Sequence, residues 1–181
     1  MHKQNDSLLY SPKALDFFKL ELNDEASTCS VGKNLGESLD AGLIVWLDGD
    51  LGVGKTTLVR AMLRHMGITG PVKSPTYSLV EVYVVSSLYL YHFDFYRFNE
   101  PEEFIDAGLD EYFQKKAICL VEWPHKAAGY VPKPDLLLSF RFRPETFSAG
   151  TPVRTLEFAA YSEAGQKCLS RLKRLSQNDG R

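Results

Sequence analysis

The sequence has only three cysteines, Cys29, Cys119 and Cys168, odd in number and widely spaced. That excludes a disulfide framework or a cysteine-built zinc site, and it points to a reducing compartment. No apolar run is long enough to span a bilayer as a helix. The opening stretch, MHKQNDSLLYSPK, lacks the apolar core and cleavage pattern of a secretory signal. A cytoplasmic protein with no membrane attachment is the expectation. There is no basic surplus either: 21 Lys and Arg stand against 23 Asp and Glu, for a net charge of −2. A protein that grips nucleic acid unaided carries excess positive charge, so contact with RNA is expected only indirectly, through a partner complex. Lys115-Lys116 and residues 171–174 are local basic candidates, better read as solvated helix faces. No Asn-Lys-x-Asp signature occurs, which argues against a guanine-specific site.

What is present is ordinary globular material: 181 residues, 44% hydrophobic and 24% charged, enough for a single domain with one good core. Residues 1–14 read as a flexible leader, 15–175 as the domain and 176–181 as a frayed tail. Strands are expected at 17–22, 43–47, 77–85, 88–93, 117–121, 136–142 and 153–160. The run at 43–47 is apolar throughout, as a parallel strand buried on both faces tends to be. Asn23-Asp24-Glu25 opens a helix to about residue 39, which Gly32 and Gly36 weaken. Further helices are expected from Thr56 to about 66, from 99 to a stop at Gly108, at 109–113, and at 165–175. Strands alternating with helices, with a hairpin around residues 86–87, place the chain in the α/β class.

The chemistry is concentrated after the second strand. Gly49-Asp50-Leu51-Gly52-Val53-Gly54-Lys55-Thr56 fills the pattern G-x-x-x-x-G-K-[ST] in full. Glycines let the backbone curl until its N–H groups face phosphate oxygens, and the following helix aims its positive end at the same anion. Lys55 suits the β- and γ-phosphates, Thr56 a Mg²⁺ ion and Thr57 the α-phosphate.

A P-loop enzyme needs a second acid at a neighbouring strand end. Glu122, closing Ala-Ile-Cys-Leu-Val-Glu, supplies it; the duller alternative is a solvated strand-end glutamate, and the adjacent P-loop favours the metal role. Asp94 in His-Phe-Asp-Phe-Tyr-Arg either orients water, holds magnesium through water, or simply ends a strand in a turn. His92 reads as a packed or hydrogen-bonded histidine, and Arg97 as the partner of Asp94, of a nearby acid, or of a surface ion pair. Thr76, in Ser74-Pro75-Thr76, either senses the γ-phosphate or sits in an ordinary proline turn; Trp123 shapes the pocket, presents a contact surface or fills a gap.

The stretches "GDLGVGKTTLVR", "VKSPTYSLVEVY", "YHFDFYR", "PEEF" with a glycine behind it, and "ICLVEWP" occur in this order. Together they resemble the TsaE (YjeE) family of bacterial ATPases. The resemblance implies an α/β, P-loop NTPase-like three-layer fold, its central sheet mixed and mainly parallel, with helices on both faces and an antiparallel hairpin. It implies a small ATPase serving the threonylcarbamoyladenosine modification of tRNAs that read ANN codons. It implies ATP and Mg²⁺ as cofactors, and a TsaD-like transferase and a TsaB-like scaffold as partners. It assigns Lys55 and Thr56 to phosphate and magnesium, Glu122 to magnesium, Asp94 to hydrolysis, Trp123 to a place beside the nucleotide and Thr76 to a switch-like loop. It also places Glu25, in the segment 22–28, near the adenine. Val82, where the family has proline, is a departure, as is the longer leader. Two other functions fit a P-loop: a small-molecule kinase, which needs an arginine-bearing lid that residues 100–116 do not suggest, and a non-catalytic nucleotide-gated module.

Overall fold

The computed structural model describes residues 13–113, 116–143 and 153–178. Residues 1–12 of the expected leader, Lys115, most of the 143–152 loop and residues 179–181 of the expected tail lie outside the described residues. The chain order is β1 (Asp16–Leu22), α1 (Glu25–Ser38), β2 (Ile44–Asp48), α2 (Lys55–His65), β3 (Val80–Val85), β4 (Leu88–Asp94), α3 (Glu103–Asp106), β5 (Ala117–Glu122), β6 (Leu136–Phe142), β7 (Arg154–Ala160) and α4 (Glu163–Asn178). Two 3₁₀ turns, Leu109–Tyr112 and Pro124–Ala127, flank β5.

Among the described residues the strands form one sheet in the order β1-β7-β6-β2-β5-β4-β3. β6, β2, β5 and β4 run parallel, while β3, β7 and β1 join by antiparallel pairing. β2 is central, and its three middle residues are buried, as a strand covered on both faces requires. Alternation along β2 sends Val45 and Leu47 into a core beneath α1, α2 and α4, and Trp46 into a second core rich in phenylalanine. That second core is roofed by α3 and the 3₁₀ turns, with Phe104, Leu109 and Ala127 reaching inward. The same sheet face over β1, β7 and β6 instead carries ion pairs such as Lys19–Glu157.

The local rules account for most boundaries. Asp24 caps α1: its carboxylate accepts from Ser27 N at 2.7 Å while the Ser27 hydroxyl accepts from Asp24 N at 3.2 Å, a reciprocal capping box. Gly67 and Gly108 adopt positive φ where α2 and α3 end. Gly32, which weakens the helix by propensity, is there for packing: a Cβ would stand 2.6 Å from Leu58 O and 2.9 Å from Ala61 Cβ of α2.

Three expectations are corrected. β3 begins at Val80, not 77; residues 77–79 form a turn closed by Leu79 N on Pro75 O at 2.7 Å. α4 starts earlier, at Glu163, and runs to Asn178, so 176–178 are helical, not frayed. The basic run of α4 is engaged with acids: Arg171 pairs with Asp40, and Lys173 lies 2.7 Å from Asp16.

Cys119 and Cys168 are buried, and burial pushes both thiols up to about 12. Cys29 is only half-buried. Thiolate, not thiol, attacks disulfide reagents, and only an accessible one does so. Titration of the native protein with an aromatic disulfide is therefore expected to consume one thiol, and all three only after denaturation. Rapid reaction of two or more native thiols would contradict this packing.

Candidate functional site

Parallel pairing gathers the candidate residues at one edge of the sheet. Asp94 ends β4 directly opposite Glu122, which ends β5, and Glu122 in turn stands opposite Leu47 of β2. β2 then runs into Gly49, so the P-loop and both acids share the carboxyl edge where ligands of open α/β sheets collect. Leu120 belongs to the core beneath α2, and the two-residue repeat carries Glu122 to the same face.

The P-loop conformation depends on its glycines: Gly49, Gly52 and Gly54 take φ of +140°, +76° and +116°. Gly54 is the N-cap of α2 and offers no side chain to the first N–H groups of that helix. Those donors are available to an anion, and the helix dipole favours one.

Lys55 is 4% exposed. Its Nζ donates to Gly49 O at 2.7 Å and Asp50 O at 2.9 Å, and lies 4.3 Å from the centre of the Trp123 ring. Burial lowers its pKa, against the opposing pull of Glu122, Asp94, Asp48 and Asp50. Thr56 Oγ1 donates to Glu122 Oε1 at 2.9 Å, and His92 Nε2 lies 3.0 Å from the same oxygen. Asp94 is held by three donors. Its Oδ2 accepts from Ser74 at 2.5 Å and Thr76 at 2.7 Å, and its Oδ1 from Tyr96 N at 2.9 Å. Trp123 adopts a left-handed backbone, φ +57°, and its ring sits 5.1 Å from that of Tyr96.

These groups surround a cleft of about 240 Å³. Of the residues singled out from sequence, Leu51, Gly52, Gly54, Lys55, Thr56, Thr57, Thr76, Asp94, Glu122 and Trp123 line it. Gly49, Asp50, Val53 and Glu25 do not. Gly49 is packed against Phe140 of β6, Asp50 turns its side chain to solvent, and the Val53 side chain is wholly in the core. Glu25 lines a separate groove of about 360 Å³ between α1 and α2, which shares Thr57 with the cleft.

Among the described residues Arg97 pairs with neither Asp94 nor a surface acid; its guanidinium lies 4.1 Å from the ring centre of Tyr77, itself 85% exposed. Sequence reasoning missed Ser74 and Tyr96 as lining residues, although each stands two positions from a residue already singled out. It also missed Arg154 of β7, which donates to Val53 O at 3.3 Å and Asp24 O at 2.6 Å and so ties the P-loop to the start of α1. Nothing local to Arg154 signals this, because strand pairing alone brings it there.

Such a sheet, with a glycine-rich loop and two acids at its carboxyl edge, defines a P-loop α/β protein. The family model for "Threonylcarbamoyl adenosine biosynthesis protein TsaE" matches residues 22–148. The chain is 40% identical over 152 residues to the tRNA threonylcarbamoyladenosine biosynthesis protein TsaE of Haemophilus influenzae, covering 81% of this chain and 92% of that relative. It is 34% identical over 147 residues to the Bacillus subtilis protein of the same name, covering 81% and 88%. The crystal structure of Bacillus subtilis YdiB superimposes with a TM-score of 0.70 at 29% identity, covering 91% of this chain and 98% of that one. The chain belongs to the TsaE family. No helix among the described residues is long and apolar enough to cross a membrane.

Proposed function

We propose that this chain is a P-loop ATPase whose hydrolysis cycle serves threonylcarbamoyladenosine modification of ANN-decoding tRNAs, by resetting a TsaD-like transferase held with a TsaB-like scaffold. The observation that carries the reading is the hydrogen bond from Thr56 to Glu122, which joins the hydroxyl after the P-loop lysine to an acid on the neighbouring strand. Hard oxygen donors of this kind suit Mg²⁺, which takes few protein ligands and the rest from phosphate and water. Thr56 and Glu122 would hold the ion, which when bound neutralises charge on the β- and γ-phosphates.

The remaining roles belong to the chain itself. The glycine loop and the uncapped start of α2 receive the phosphates. Lys55 exchanges the carbonyls of Gly49 and Asp50 for phosphate oxygens. Asp94 accepts a hydrogen bond from an attacking water, in place of one hydroxyl it now holds. Because Thr76 is bonded to Asp94, a change at the γ-phosphate reaches the 74–77 loop and the exposed Tyr77 beyond it. Partners would read hydrolysis there, as switch loops are read elsewhere. tRNA is met as part of the complex.

Phosphate release by the protein alone and with TsaD and TsaB tests this reading. Partners are expected to raise turnover by at least about tenfold, since a P-loop site often gains its last transition-state charge in trans. Turnover indifferent to the partners counts against it.

A further inference from the structure

His92 is wholly buried and does not line the cleft. It nevertheless touches the site from behind, through Nε2 at 3.0 Å from Glu122 Oε1. The fold makes that contact unavoidable. In the parallel pair of β4 and β5, His92 stands opposite Leu120 and Asp94 opposite Glu122, with alternate residues on one face.

The network also assigns the proton. Nε2 faces Glu122 Oε1, and a carboxylate oxygen is an acceptor for an Nε2–H. Nδ1 is buried and has no hydrogen-bond partner among the described residues. Buried N–H groups without an acceptor are rarer than under-used acceptors, so the hydrogen is placed at Nε2, which faces the carboxylate, rather than at Nδ1. Glu122 Oε1 then receives two donors, Thr56 from the cleft side and His92 from the core. Glu122 Oε2 accepts no hydrogen bond among the described residues.

We propose that His92 is a positioning residue for Glu122: its Nε2–H fixes the carboxylate in the orientation in which Glu122 and Thr56 meet at the cleft wall. This rests on the reading of Thr56 and Glu122 as the groups that receive a nucleotide-borne divalent cation. Removing the donor frees the carboxylate to rotate away, and loss of such an outer partner typically weakens a metal site by about 10–100-fold. A histidine that merely fills the core has no such effect.

The test uses three variants of the whole chain. His92→Leu keeps bulk and removes the donor. His92→Gln restores an N–H close to the Nε2 position. Glu122→Gln probes the underlying site. Mn²⁺ affinity of the protein loaded with a non-hydrolysable ATP analogue is read by electron paramagnetic resonance, metal-free binding of the same analogue by calorimetry, and folding by thermal melting.

His92→Leu is expected to lose about tenfold or more in Mn²⁺ affinity with metal-free binding within about twofold of wild type, and His92→Gln to recover most of the loss. Wild-type Mn²⁺ affinity in His92→Leu overturns the proposal. Should His92→Leu not fold, His92→Met, which also removes the donor, takes its place and is read in the same way. If Glu122→Gln itself binds Mn²⁺ as wild type does, the reading of the site fails and this inference with it. If Glu122→Gln loses Mn²⁺ and both His92 variants keep it, the positioning role alone falls.

Discussion

Glu122→Gln is expected to lower ATP hydrolysis by about 10²–10³-fold, the scale seen when one group that stabilises transition-state charge is lost. Glutamine is the informative replacement because it nearly matches glutamate in shape. Its amide oxygen can still accept from Thr56 and His92, so the hydrogen bonds at 2.9 and 3.0 Å need not break. Alanine would strand both donors, at about 1–3 kcal/mol for each buried group left unpaired, and confound rate with stability. With glutamine the fold and metal-free nucleotide affinity should survive while the charge facing the cation is gone. Single-turnover phosphate release and calorimetric nucleotide binding check the two halves separately. A variant with an unchanged rate would remove Glu122 from the chemistry; one that fails to bind nucleotide without metal would make its role structural.

Gly49→Ala should be the most damaging small substitution in the P-loop for stability. Gly49 holds φ at +140°, and an added Cβ would lie 2.7 Å from Phe140 O and 2.9 Å from Phe140 Cβ. The backbone region costs about 1–3 kcal/mol for a non-glycine residue. Overpacking against a main-chain oxygen adds about 1–3 kcal/mol. The midpoint of that range corresponds to a fall in Tm of roughly 10 °C for a domain of this size. Gly52→Ala provides the internal comparison. Its φ is +76°, but nothing lies within 4 Å of the added Cβ. It should cost only backbone strain, about 1–2 kcal/mol, while still disturbing the turn that receives phosphate. Equal Tm losses in the two variants would contradict the close approach of the loop to β6.

The parts of the site that were legible in the sequence are those that depend on adjacent residues. The P-loop is a local motif, and glycine spacing announces it whatever the rest of the chain does. Glu122 and Asp94 were visible as acids ending apolar strands, because carboxyl ends of parallel strands face the ligand edge. Whether they met was not visible, since register is a property of two strands and neither sequence contains it. His92 could be read as hydrogen-bonded, but its partner lies 30 residues away on β5. Arg154 is 101 residues from the P-loop carbonyl it holds, and no spacing rule reaches that far. Glu25 lies in a neighbouring groove that meets the cleft at Thr57, a juxtaposition of α1 and α2 that no local spacing displays. Gly32 was read as weakness in α1, when its missing side chain is what lets α2 approach.

The P-loop is expected to drive a repeated cycle in tRNA modification. Modification reconstituted with TsaD, TsaB, the activated threonylcarbamoyl donor and excess tRNA measures it, comparing wild type with Lys55→Ala. The Lys55 Nζ sits on the loop carbonyls at 2.7 and 2.9 Å and is the cation the phosphates would meet. Wild type is predicted to sustain many rounds per complex, and Lys55→Ala to stop at or before the first. Equal multiple turnover by both would contradict the account.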